Sequence, residues 1–164
     1  MARLQILSND DINKLYKLPQ LNDSDRPFVF ELDEKDQEYL NSFDDIPKKI
    51  NYILQVGFFR ITQNFYNVTF QGNRQDTWYV IKTFFPSEKF PKSKISNWHH
   101  YNNRKAILKK YGVSLYTSKH REKAIRYAKE LTKQHAVPKY LFDSLVEYFH
   151  QHKIVRPSYT TLQE

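Results

Sequence analysis

Two cationic stretches of helical periodicity follow one another in residues 93–133, and each carries an apolar stripe that has to be buried against something else. At 100° per residue, Trp98, Tyr101, Ile107, Leu108 and Tyr111 fall on one side of the first helix, and His99, Asn102, Asn103, Lys109 and Lys110 on the other. Arg104 and Lys105 lie nearer the apolar side, where their stems can run along it and leave the charge in water. Gly112 ends the helix, because glycine takes the left-handed conformation at low cost, and Lys109 and Lys110 suit the negative end of the helix dipole. The second helix starts at Thr117 or Ser118, whose hydroxyls can cap it. Its faces divide cleanly, with Lys119, Lys123, Arg126, Lys129 and Lys133 on one edge and Ala124, Tyr127, Ala128 and Leu131 on the other. Residues 113–116 are a linker of turn length, so the pair reads as a helix-turn-helix-like arrangement inside an all-α, multi-helix domain.

Charge sharpens that reading. The net charge is +8 over 164 residues, yet residues 1–50 hold seven Lys/Arg against eleven Asp/Glu, whereas residues 82–139 hold fifteen against three. A positive block of this density attracts a polyanion and makes binding steeply salt-dependent. Lys92 and Lys94 extend the block ahead of the first helix. With duplex DNA as partner, the lysines and arginines would contact phosphate and set orientation, and His99, Asn102 and Asn103 would meet base edges. A bidentate asparagine–adenine contact is worth roughly 1–3 kcal/mol of discrimination.

Other chemistries find little support. The chain has no cysteine, which removes disulfides and thiolate metal sites and fits a reducing cytoplasm. No apolar run approaches the roughly 20 residues that span a bilayer, so a soluble, cytoplasmic protein is expected. His99 and His100 are adjacent and diverge on a helix, without a third ligand at useful spacing, and no metal or other cofactor is expected. The pairs Asp10-Asp11 and Asp44-Asp45 stand at helix starts, where aspartate caps. Three glycines form no phosphate-cradling loop, and no nucleophile–base constellation appears, so no enzymatic activity is expected of this stretch.

Along the rest of the chain, Ser8 and Asp11 predict a capped short helix that Pro19 stops, and residues 21–32 predict a loop passing into a short extended piece. Helices are predicted over 34–43, from Pro47 to about residue 60, over 75–85 with Trp78, Ile81, Phe84 and Phe85 inward, and from Pro138 through Phe149. Residues 61–72 read as irregular or helical. The run Ile154-Val155-Arg156-Pro157 breaks the pattern, and Thr160 or Thr161 is the expected cap of a further helix. The expected organisation is a helical DNA-binding domain over 1–153, with 154–164 a linker and the start of a following region.

Several segments, taken in order, resemble the N-terminal domain of the Tn-three-type replicative transposases of bacteria. They are residues 4–18, Pro47 through Ile53-Leu54-Gln55-Val56-Gly57-Phe58-Phe59, residues 104–112 (RKAILKKYG), and residues 154–162 (IVRPSYTTL). The resemblance covers most of the chain. It implies the N-terminal part of a large DDE transposase that binds the terminal inverted repeats of its element during transposition, near the bacterial nucleoid. Catalysis in that family belongs to a metal-dependent ribonuclease-H-like region, no part of which is present here, so DNA recognition is carried over and no catalytic residue is. A protein-interaction domain that docks an acidic partner or another transposase subunit is the alternative expectation. RNA binding ranks lower, because the periodicities turn most aromatics inward.

Overall fold

A computed structural model describes residues 4–164. Among them the chain forms nine helices and no strand: α1 (Asn9–Tyr16), α2 (Arg26–Val29), α3 (Glu34–Asn41), α4 (Ile46–Thr62), α5 (Arg74–Phe84), α6 (Asn97–Tyr111), α7 (Ser118–Thr132), α8 (Pro138–Gln151) and α9 (Tyr159–Leu162). The fold is all-α, as expected. None of these helices is long and apolar enough to cross a membrane. The helices sort into two compact units, one of Leu18–Tyr111 and one of Met1–Lys17 with Gly112–Glu164.

The Leu18–Tyr111 unit is built around α4, which packs against α2, α5 and α6. Asp45 caps α4 by accepting from the Lys48 amide at 3.1 Å, and the proline in its first turn needs no amide partner there. The spacing of Ile50, Ile53, Leu54, Gly57 and Phe58 predicts a one-sided apolar stripe, but Ile50 through Phe59 are all buried, including Asn51 and Gln55. Gly57 lets α2 come close: a Cβ there would stand 2.5 Å from the Phe30 ring and 2.8 Å from the Val29 carbonyl oxygen. α2 itself replaces the extended piece predicted after Pro27. Its single turn is held by Arg26, whose buried guanidinium bonds Asp76 at 2.8 Å and Asp23 at 2.6 Å. Residues 63–72 are irregular, with Tyr66, Val68 and Phe70 buried. In α5, Ile81 is buried as predicted, together with Asp76, Thr77 and Val80, whereas Trp78, Phe84 and Phe85 are only half-buried.

In the other unit, α7 and α8 pack together over Ala124, Phe149 and Ile154, joined by Tyr116, Leu145, Tyr148 and Leu162. Ser8 caps α1 by accepting from the Asp11 amide at 3.1 Å. Residues 154–164, set apart in the sequence as a linker and the start of a following region, belong to this unit. Ile154 forms a parallel bridge with Ser114, the Tyr159 hydroxyl accepts from the Ile6 and Leu7 amides at 3.0 and 3.1 Å, and Tyr16 donates to the Pro157 carbonyl at 2.9 Å. Ser158, not Thr160 or Thr161, caps α9, because its hydroxyl stands three residues before the Thr161 amide that it accepts from.

Candidate nucleic-acid interface

The two basic helices fall in different units. α6 packs on α4, and α7 packs on α8.

On α6 the buried face is not the apolar stripe that the sequence predicts. Asn103 and Ile107 are the buried residues, and Trp98 and Tyr101 stand 66% and 61% exposed. The inward line runs through His100, Asn103, Arg104, Ile107 and Lys110, which is also helical spacing but carried mostly by polar groups. Each of those groups finds a partner in its own unit. Asn103 donates from Nδ2 to Asn51 Oδ1 at 3.0 Å and accepts from the Tyr39 hydroxyl at 2.9 Å. Both sides of its amide are used, so the expected reading of a base edge by Asn103 does not hold. His100 Nδ1 lies 2.8 Å from Gln55 Nε2, and burial, with Arg104 and His99 close by, holds its pKa below the ordinary value. Arg104 bonds the Tyr66 carbonyl at 3.4 Å and lies 5.3 Å from the centre of the Phe65 ring, half-buried. Burial lowers its pKa too.

Lys110 departs furthest from the expectation. Its ammonium sits 2.7 Å from Asp36 Oδ2 and 2.8 Å from Asp33 Oδ2, with only 10% of the side chain exposed. Asp36 is fully buried. It also accepts from the Tyr52 hydroxyl at 2.8 Å and faces Arg60 at 3.6 Å. Asp33 and Asp36 form the capping box of α3, so one cluster closes α3 and fastens α6. Burial pushes the Asp33 carboxyl up, but the bonds from Lys110 and the Asp36 amide outweigh it and hold the group down at about 2. Burial would lower the Lys110 pKa, and the two carboxylates override it and raise it. Burial, then the bond to Asp36, raises the Tyr52 phenol. A lysine engaged in this way is a structural tie, not a phosphate contact.

The outer side of α6 keeps other expected residues available. Lys105 and Lys109 are exposed, His99 and Asn102 half-buried, and Lys92 and Lys94 are exposed in the preceding loop. Gly112 follows at φ +62°, the left-handed conformation expected of it.

On α7 the expected division of faces holds. Thr117 stands at the N-cap, where its amide donates to His120 Nδ1 at 3.1 Å. Ala124 is buried, Tyr127, Ala128 and Leu131 are half-buried, and Tyr127 stacks on Tyr148 of α8 at 4.8 Å. Lys119, Lys123, Arg126, Lys129 and Lys133 are all exposed. Arg121 is exposed too, but at 100° per residue it falls about 200° round the helix from Lys119 and so lies outside this row. Glu130 offsets part of the row by pairing with Lys133 at 2.8 Å. Among the described residues no cluster of three or more His, Cys, Asp or Glu could hold a metal ion.

The residues thus form two cationic surfaces of different chemistry: a row of charge on α7, and lysines with aromatics on the outside of α6. No curated protein matches the chain. A family model described as "Domain of unknown function (DUF4158)" matches residues 6–164, and the chain belongs to that family.

Proposed function

We propose that the chain is a DNA-binding part of a Tn-three-type transposase, acting in the bacterial cytoplasm at the nucleoid and holding the terminal inverted repeats of its element. The observation that carries the reading is the α7 row: four cations from Lys119 to Lys129 on one exposed edge, continued by Lys133, while the opposite edge is fixed against α8. A rigid helix with cations at successive turns matches a line of phosphates and releases their counterions on binding. The α6 residues that remain available for base edges are His99 and Asn102.

The mechanism is positioning. Phosphate contacts from α7 fix the helix on the duplex, and specificity is added by the few polar groups that reach base edges. The test is equilibrium binding of the chain, over a range of salt, to a duplex of the terminal repeat and to a scrambled duplex of equal length. Preference for the repeat that persists as salt rises supports end recognition. Equal binding that vanishes with salt leaves only a nonspecific basic surface. Salt-insensitive association with another transposase subunit, without DNA binding, would favour the protein-interaction reading instead.

A further inference from the structure

The outer face of α6 carries something the α7 row lacks. Trp98 and Tyr101 are among the most exposed large apolar side chains of the chain, and on a helix Trp98, Asn102, Lys105 and Lys109 fall within about 60° of one another, with Tyr101 at their border. Beside them, within the same unit, is a cleft of about 180 Å³ lined by Tyr39, Phe43, Lys48, Trp98, His99 and Asn102. It lies below the roughly 300–1,000 Å³ of drug-sized pockets and is on the scale of one planar heteroaromatic ring system. Its walls are preset: Tyr39 packs edge-on to Phe43 at 5.3 Å and bonds Asn103, and Trp98 packs edge-on to His99 at 4.9 Å.

We propose that this face binds single-stranded DNA, with unpaired bases stacking on Trp98 and Tyr101, one base entering the cleft, and Lys105 and Lys109 following the phosphates. Paired bases in a duplex keep their faces covered by their neighbours and offer only edges, so a surface of open rings gains little from a duplex. An unpaired base offers its face, and stacking on aromatics beside a cationic track is how single strands are held without sequence preference. Asn102 lines the cleft with one donor and one acceptor, the complement of a base's Watson–Crick edge. Charge complementarity calls for an anionic occupant, since an apolar partner would gain nothing from Lys105 and Lys109, and the open rings beside them favour a strand of bases over an acidic protein surface. The proposal rests on the DNA-binding reading and extends it from paired to unpaired strands.

The experiment titrates the full chain with a short oligodeoxythymidylate, a blunt duplex and the matching oligouridylate, following fluorescence anisotropy of the labelled strand and quenching of tryptophan emission. Trp98→Ala and Tyr101→Ala each weaken oligodeoxythymidylate binding by about 5- to 30-fold, Trp98→Phe retains most of it, and duplex affinity stays within about twofold. The triple variant Lys119→Ala, Lys123→Ala, Arg126→Ala does the reverse. Both aromatic side chains are exposed, and a thermal melt checks that the variants fold. Unchanged single-strand binding in Trp98→Ala, or none in the unsubstituted chain, overturns the proposal. Tighter, Trp98-dependent binding of the oligouridylate overturns its assignment to DNA. Trp98-dependent single-strand binding without any duplex binding upholds the proposal and removes the α7 reading instead.

Discussion

Lys109 and Lys110 are neighbours in sequence, yet one points into solvent and the other ties α6 to α3. Removing Lys110 leaves a fully buried Asp36 with Tyr52 and a more distant Arg60, and breaking a buried pair from one side typically costs about 3–5 kcal/mol. Lys110→Ala should therefore lower the urea midpoint of unfolding by an amount worth about 3 kcal/mol, whereas Lys109→Ala should stay within about 0.5 kcal/mol. Equal effects of the two would refute the assignment. The same cluster fixes a pH dependence. Asp33 is held down at about 2, against about 3.9 in an unfolded chain, so its contribution is present above pH 4 and lost as pH falls towards 2. Lys110 is raised, so its contribution is present below about pH 10.4 and lost as pH rises through the folded value. Because the Asp33 side chain is 56% exposed, solvent screening keeps its own share small, and Lys110→Ala should flatten the acid limb of a melting-temperature profile rather than abolish it. None of this could be read from periodicity, since Asp36 lies 74 residues from Lys110 and two lysines in one helical turn look alike until their partners are known.

At the scale of the element, α7 was legible and α6 was not, for one physical reason. The buried face of α7 is apolar, so hydrophobic periodicity finds it. The buried face of α6 is mostly polar and satisfied by Asn51, Gln55 and Tyr39, so hydrophobic periodicity points to the wrong side and turns Trp98 and Tyr101 inward. The readable clue was on α4, where Asn51 and Gln55 stand one turn apart in an otherwise apolar run and require polar partners. Asn103→Ala should then behave as a core substitution. It leaves Asn51 Oδ1 and the Tyr39 hydroxyl without the Asn103 amide and should cost about 2 kcal/mol in a denaturant titration. A change in DNA sequence preference at unchanged stability would return Asn103 to the interface. The α7 cations should behave oppositely: with duplex DNA, each of Lys119→Ala, Lys123→Ala and Arg126→Ala should reduce the slope of log affinity against log salt by about 0.9, with unfolding little altered. Slopes unmoved by all three would take α7 off the DNA.

At the scale of the molecule, the sequence shows one helical array with a break after residue 153, whereas the chain divides into a contiguous unit and a discontinuous one. Such a division leaves no local mark. The second unit is closed by bonds between segments more than 140 residues apart, those of Tyr159 to Ile6 and Leu7, Tyr16 to Pro157 and Arg156 to the Leu15 carbonyl. Each is a polar contact that nothing in either segment announces. They make the 154–164 segment a structural part of the unit that carries α7: Ile154 and Val155 are buried at 5% and 8% exposure, and the Tyr159 ring lies 5.5 Å from that of Phe142. Removing this segment should therefore act on duplex binding although it contains none of the proposed contact residues. A chain ending at residue 153 should lose amide hydrogen-exchange protection across α7 and α8 and bind duplex DNA weakly. Protection in α4 should persist, because Leu18–Tyr111 keeps its own core. The milder Tyr159→Phe removes one hydroxyl from two amides and should cost about 1–2 kcal/mol, confined to the α7 and α8 transition. Full protection of α7 in the shortened chain would make residues 154–164 a mere tether and leave the α7 row to stand without them.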